Sequence, residues 1–477
     1  MENDILSEIP EDWETTILEE VVADQAGGDW GNESPDTNLV ECLALRGTDF
    51  PKAEGKDLSS VPVRYVRPNS ARTRKLFSGD LLIEMSGGSK DQQTGRALLA
   101  TPALLAASDK PLLFSNFVKR LRFDTSWVDP EFAYRFWSFL YQMKRMFVYE
   151  KRTTGIRNFK LGDFLANERI ALPPLPEQKA IAHVLRTVQQ AKEATAKVIA
   201  AARQLKASLM RHLFTYGPVP FAEADQVELK ETEIGRIPSS WQVAPLGEYL
   251  TETQYGLSKR GEEQGKYPIL RMNNLAEGKL RLDDLQHVDL EDDEFSKFAL
   301  RRGDLLFNRT NSFELVGKTS LYLERGPFVF ASYLIRVAPD HARLHSGFLN
   351  YYMNLASTQA RLKQLASRAV SQSNINATKL RGFLIQVAPL GDQEQIAALI
   401  DCLERKREAE EARALTLGAL FISLLENLMT GRVRVSELEW EDKPKKGRKR
   451  SPLAEFFGKW PGDETDEQVR RALEEMD

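Results

Sequence analysis

Few residue patterns in this sequence could run a reaction, and each breaks at a position the chemistry requires. Val316-Gly317-Lys318-Thr319 has the ending of a phosphate-binding loop, in which backbone N–H groups cradle phosphates and the lysine reaches them. Such a loop needs a glycine where Ser312 stands. Thr94-Gly95-Arg96-Ala97 holds the matching place earlier in the chain, so both read as one repeated turn. His341 and His345 have the spacing of two zinc ligands on a metalloprotease helix, but the general-base glutamate is replaced by Ala342. His183, His212 and His287 are the only other histidines, and solvated loop positions are the expectation for the pair. Pro173-Pro174-Leu175 lacks the Asn or Asp with which base-methylating enzymes grip an amino group. No Gly-rich cofactor loop joins a strand to a helix, and no G-x-S-x-G is present. Cys42 and Cys402, the only two cysteines and 360 positions apart, make neither a disulfide framework nor a zinc cluster and read as packed thiols. The chain is expected to hold no catalytic residue, metal site or cofactor of its own.

What remains is chemistry suited to contact. The formal net charge of −4 does not announce a nucleic-acid binder, but local patches decide groove binding. Val61 to Ala100 contains Arg64, Arg67, Arg72, Arg74, Lys75, Lys90 and Arg96 against three acids, and Met143 to Lys160 has six basic residues against Glu150 alone.

The elements that would position these residues occur twice. Ile-Pro-x-x-Trp opens residues 9–22 and again 237–250. SGDLLIEMS at 78–86 answers RGDLLFNRT at 302–310, and FSNFVKRLRF at 114–123 parallels FASYLIRVAP at 330–339. ALPPLPEQKAIAHVL at 171–185 parallels QVAPLGDQEQIAALI at 386–400. Four matches in one order identify a tandem duplication. Each copy begins with short β-branched and apolar runs punctuated by Gly, Pro and Asn, then continues as a long segment nearly free of Gly and Pro. The first helix is expected from about Glu177 to Tyr216, with Pro176 at its start and Gly217-Pro218 as its stop. The second is expected from Asp392 to about Thr430, ending at Gly431. Ile181, Leu185, Val188, Thr195, Val198, Ala202, Leu205 and Leu209 fall near a 3.5-residue spacing, as do Ile396, Leu399, Leu403, Ala414, Leu417, Phe421, Leu424 and Leu428. Periodicity leaves the direction of pairing open. Lys192, Lys197, Arg203, Lys206 and the run Glu404, Arg405, Lys406, Arg407, Glu408 read as outward, solvated faces or as a partner seat. At 477 residues, with 42% hydrophobic and 28% charged residues and no 18-residue apolar run, a soluble multi-domain protein without a membrane span is expected. The acidic N-terminus lacks a signal pattern, and cytoplasm is the expected compartment.

Taken together, the pattern resembles the specificity subunits of type I restriction–modification enzymes. The carriers are Ile-Pro-x-x-Trp and Gly-Asp-Leu-Leu in each half, Pro-Pro-Leu-Pro-Glu-Gln before the first helix, and its echo Ala-Pro-Leu-Gly-Asp-Gln before the second. Leu-Met-Arg-His-Leu-Phe-Thr and Leu-Leu-Glu-Asn-Leu-Met-Thr close the helices. The likeness runs over about residues 9–435, with Gly391 and Asp392 departing from Pro176 and Glu177. It implies an α+β fold: two tandem mixed α/β target-recognition domains, separated by two long antiparallel coiled-coil helices, as a pseudo-twofold internal repeat. The domains are read as 1–172 and 218–388, the helices as 173–217 and 389–432, and the tail as 433–477. The tail carries the basic cluster KPKKGRKR at 443–450 and a short terminal helical pattern. The resemblance further implies double-stranded DNA as ligand, two adenine-methyltransferase subunits carrying S-adenosylmethionine, and restriction subunits using ATP and Mg²⁺. A stand-alone DNA-binding adaptor of another methylation-based phage-defence system, or a coiled-coil protein scaffold, are the alternatives.

In the first domain the Gly/polar loop 87–96 offers Lys90 and Arg96 for phosphate or guanine, and Gln92 or Gln93 for adenine. Arg152, Thr154, Arg157 and Asn158 form a second segment of the same character. In the second domain Tyr255, Lys259 and Arg260, then Arg309 and Asn311, then Gln372 and Asn374 are the counterparts.

Overall fold

The computed structural model describes residues 9–87, 92–153, 156–311, 315–368 and 373–435. The chain divides into two units, one of residues 9–194 with 413–435 and one of residues 195–412.

The first unit is organised around the Gly-Asp-Leu-Leu motif. Gly79 takes φ +92°, a conformation that favours glycine, and the Asp80 carboxylate closes the turn by accepting the Phe77 N–H at 2.8 Å. The strand Leu81–Glu84 then sends alternate side chains to opposite faces. Leu81 and Ile83 enter one core with Phe132, Phe136 and Trp137, while Leu82 enters another with Phe50, Leu104 and Phe114. Both faces are covered, which is why the run is apolar without alternation. This strand lies inside a four-stranded antiparallel sheet of order Val22–Gly27, Val118–Phe123, Leu81–Glu84, Ala97–Leu99. Val63–Val66, Val40–Leu45 and Leu112–Phe114 form a second, mixed sheet. The helix Pro130–Gln142 begins on Asp129, whose carboxylate accepts the Glu131 and Phe132 N–H groups, a cap worth about 1 kcal/mol. After the Ile-Pro-x-x-Trp turn, in which Trp13 N–H donates to the Pro10 carbonyl at 3.0 Å, Glu14–Ile17 pairs with Arg169–Leu172, just before the long helix.

The second unit repeats this plan strand for strand. Its four-stranded sheet runs Leu250–Tyr255, Leu334–Pro339, Leu305–Asn308, Thr319–Leu321, and its mixed sheet Gln286–Val288, Tyr267–Leu270, Val329–Phe330. Gln242–Pro245 pairs with Leu384–Val387. Even the irregularities recur: the register shift between Val22 and Asp24 is matched between Leu250 and Glu252. Arg120 pairs with Asp24 in the first sheet as Arg336 does with Glu252 in the second. Gly303 (φ +100°) and Asp304, which accepts the Arg301 N–H at 2.8 Å, rebuild the motif turn.

The long helices are Leu175–Tyr216 and Leu390–Met429, 42 and 40 residues, each about 60 Å long. A buried glutamine anchors each start. Gln178 accepts the Asp129 N–H at 2.8 Å and donates to the Trp127 and Pro173 carbonyls. Gln393 does the same with His345, Arg343 and Ala388. Pairing within each unit is antiparallel. In the second unit Arg203 meets Glu411 and Lys206 meets Glu404, one index rising as the other falls. In the first, Ile181, Val184 and Leu185 share a core with Phe421, Leu425 and Leu428. Glu404 and Arg407 are not on a solvated face, as the charge run implied. Glu404 is 2% exposed and bonded to Lys206 and Arg407, because a seam built from small and apolar residues has room for one ion cluster. By length and composition alone the second helix is apolar enough to cross a membrane, yet its inward residues Ile396, Ile400, Leu403 and Leu425 lie in the two domain cores.

Candidate nucleic-acid interface

Strand pairing joins segments far apart in sequence. In the first unit Ser86–Gly87 pairs with Ile156–Phe159, which pairs with Glu150–Thr153, so the loop after residue 87 and the 152–158 segment spring from one small sheet. Glu150, nearly fully buried, organises it: its carboxylate accepts the Thr94 N–H at 2.7 Å and takes the Arg157 guanidinium at 3.0 Å. Asn158 accepts a hydrogen bond from the Ser86 hydroxyl at 2.6 Å. Arg96 forms a two-pronged pair with buried Glu84 at 2.9 and 2.6 Å, and that hydrogen bonding raises the guanidinium pKa further. Gln93 lies inside, its amide donating to the Tyr141 carbonyl, while the Tyr141 hydroxyl donates to the Gln93 carbonyl at 2.9 Å. In this arrangement Gln93 and Arg96 build the loop, and Gln92 stays exposed beside them. Lys90 and Thr154 fall outside the described residues, and Arg152 is described in its backbone only.

The second unit gathers its expected residues more tightly. Thr310–Asn311 pairs with Ser373–Asn374, which pairs with Ser367–Arg368. The Arg309 guanidinium, at the root of this sheet, donates to the Ser332 carbonyl at 2.9 Å and lies 4.9 Å from the Tyr255 ring centroid, while the Arg309 backbone carbonyl accepts the Ile375 N–H at 2.9 Å. The Tyr255 hydroxyl accepts the Ala377 N–H at 2.9 Å. Tyr255, Arg309 and Asn374 therefore converge. Gly256 is required beside them, since a Cβ there would stand 2.3 Å from the Phe330 carbonyl oxygen. Lys259 reaches Glu294 at 2.6 Å, and Arg260 is exposed at the mouth of a cavity of about 870 Å³. Gln372 lies outside the described residues, and nothing is described of the Asn311 side chain.

Two residues escaped the sequence reading. Phe117 and Tyr333 occupy the same place in the repeat, at the tip of a turn, 59% and 51% exposed. Their carbonyls accept the N–H groups of Met85 and Arg309, where the small sheets begin. The aligned aromatic in FSNF and FASY was the available signal. His345, expected on a solvated loop, is half-buried and caps the helix Ser346–Met353 through a 3.3 Å bond from Phe348 N–H, and burial lowers its pKa. Among the described residues no group of three or more His, Cys, Asp or Glu could hold a metal ion.

A family profile described as the type I restriction modification DNA specificity domain matches residues 41–203 and 238–417, once on each copy of the repeat. The chain belongs to that family. It is 24% identical over 418 residues to the StySPI specificity subunit of Salmonella potsdam, covering 83% of this chain and 85% of that one. It is 27% identical over 378 residues to the EcoKI specificity subunit of Escherichia coli K12, covering 74% and 75%. A putative MjaX specificity subunit of Methanocaldococcus jannaschii is 33% identical over 174 residues, 36% of this chain and 41% of the relative's length. The crystal structure of an S subunit from M. genitalium shares the fold, with TM-score 0.55, 16% identity, and coverage of 89% of this chain and 97% of that one. The specificity subunit accordingly recognises DNA sequence and is not itself an enzyme.

Proposed function

We propose that this subunit reads a bipartite, asymmetric duplex target, one half per domain, and assembles catalytic subunits on it. The observation that carries this reading is the duplication itself: the sheet framework of the first unit recurs in the second, which adds two short hairpins, and the two present loops of different sequence. A common frame with unlike loops suits a split site whose halves differ. The partners are two adenine-methyltransferase subunits supplying S-adenosylmethionine, and restriction subunits supplying ATP and Mg²⁺ chemistry. Acting on host and phage DNA in this way places the complex in the cytoplasm.

Within each domain, backbone contacts set register and a few side chains read base edges. Gln92, Arg157 and Asn158 in the first domain, and Tyr255, Lys259, Arg260, Arg309 and Asn374 in the second, carry that work, with Lys90, Arg152, Thr154, Asn311 and Gln372 on the adjoining segments. The test is co-expression with the neighbouring methyltransferase and single-molecule sequencing for N6-methyladenine. A split, asymmetric methylated motif that disappears when this gene is deleted supports the reading. Unchanged methylation beside an active methyltransferase sinks it.

A further inference from the structure

The two copies of the repeat treat one strand end differently. In the first unit Glu84 ends its strand and is neutralised by Arg96, two turns of chain later. At the matching positions the second unit has Asn308 and Lys318, and no side-chain bond joins them among the described residues. Asn308 is 1% exposed. Its amide nitrogen donates to the Leu315 carbonyl at 3.0 Å, but its Oδ1 has no hydrogen-bond partner among the described residues. A buried acceptor left without a donor is destabilising, so the site favours anything that donates to it.

Asn308 lines the cavity of about 870 Å³, together with Arg260, Lys318 and Tyr333. Arg260 and Lys318 form no ion pair among the described residues, whereas Lys259, Arg271 and Arg281 in the same wall do. Leu257, Ile269 and Leu275 give the cavity an apolar floor. An acceptor at depth, an aromatic at the lip, two cations without an ion pair among the described residues and apolar walls are together the needs of a nucleotide, and the volume is in the range of small-ligand sites.

We propose that this cavity receives one unstacked nucleotide of the half-site read by the second domain, bearing an exocyclic amino group. The amino group of adenine or cytosine donates to Asn308 Oδ1, the base lies against Tyr333, and its phosphate meets Arg260 and Lys318. The proposal rests on DNA recognition by this domain. It makes the second half-site deformable by requirement, since a base leaves its stack, while Glu84–Arg96 closes the equivalent place in the first domain.

The test uses the subunit in complex with its methyltransferase and the mapped target duplex, with 2-aminopurine placed in turn beside each adenine and cytosine of the second half-site, where it reports loss of its neighbour from the stack and leaves that neighbour's amino group in place. Fluorescence is expected to rise on binding at one position besides that of the adenine the methyltransferase itself unstacks, and an abasic site opposite that nucleotide should tighten binding about tenfold because no pair has to open. Tyr333→Ala, a surface change, should abolish both responses and weaken binding about tenfold, with Tyr333→Phe restoring them. Asn308→Leu should erase the preference for an amino-bearing base at that position. No position that brightens, or responses unchanged in Tyr333→Ala, would overturn the proposal. A titration with AMP separates the sources: saturable AMP binding lost in Asn308→Leu, with duplex responses unchanged, assigns the cavity to a free nucleotide and overturns the DNA assignment. Failure of the unmodified complex to bind its target counts against the functional reading instead.

Discussion

Asp80 and Asp304 do one local job in different electrostatic company. Each carboxylate closes its turn by accepting a backbone N–H three residues back. Asp80 also holds the Arg122 guanidinium at 2.7 and 3.0 Å, and this bond is the main reason that the guanidinium pKa rises. The second unit has Ala338 at the matching place, and burial there raises the Asp304 carboxyl above its ordinary value, more than the Arg301 N–H and the Arg336 charge lower it. An amide can close the turn as well as a carboxylate can. Asp304→Asn should thus leave stability within about 0.5 kcal/mol or raise it. Because the folded pKa is raised, any gain over the parent should appear only as pH climbs through it and vanish in acid. Asp80→Asn strands Arg122, and since that side chain is partly exposed the expected loss is about 1 kcal/mol, roughly 2–4 °C in melting temperature. Thermal melts of the two variants against pH decide it; equal losses would sink the distinction.

At the level of elements, the paired helices depend on a charge that periodicity does not reveal. Heptad reading finds the seam from Ile181, Leu205, Ile396 and Leu403 because apolar residues recur near 3.5. It assigns Glu404 to the surface, since a charged residue in a basic run carries no sign of burial. The structure turns Glu404 inward among Lys206, Arg407 and Lys279. Burial would raise its carboxyl, but the Arg407 hydrogen bond and the Lys206 charge prevail and hold the pKa at about 2. A depressed folded pKa means stability that is complete above the unfolded value of 4.5 and is lost as pH falls toward 2. Glu404→Gln should flatten the stability profile across that acid window. Glu404→Ala takes from Lys206 its partner in the cluster, while Arg407 keeps Glu411 and Lys279 keeps Glu408, and should cost about 2 kcal/mol, less than a fully dry site because Lys206 and Arg407 keep some solvent. Lys206→Met in the same chain should recover part of the loss. Denaturant melts between pH 2.5 and 7 read both effects, and an unchanged acid profile in Glu404→Gln would remove the cluster from the account.

For the whole molecule, duplication made the architecture readable, while long-range pairing hid the site. Ile-Pro-x-x-Trp, Gly-Asp-Leu-Leu and the Pro-rich helix starts each encode a local turn, so their order predicts the order of elements. The contact between Ser86–Gly87 and Ile156–Phe159 spans about seventy residues, and no local pattern records it. Nor does a polar loop disclose that Gln93 turns inward while Phe117 turns out. The helices are the element on which the proposed two-part reading can be tested most directly. If they set the distance between the half-sites, adding one turn to each helix lengthens the spacer by about 5.4 Å, one to two base pairs of duplex. Insertions of four residues should go after Ala200, within the run of small residues Ala200–Ala202, and at the antiparallel counterpart in the second helix, because four residues slightly overshoot the 3.5-residue repeat and small side chains tolerate the resulting local unwinding. Both helices must grow together, because one alone leaves a mismatched seam. The expected result is an unchanged pair of methylated half-sites separated by one or two more base pairs, read by sequencing N6-methyladenine in cells carrying the variant. An unchanged gap in an active variant would show that distance is set by the domains or by partner subunits. Altered half-site sequences would show that the helices help to shape the reading loops.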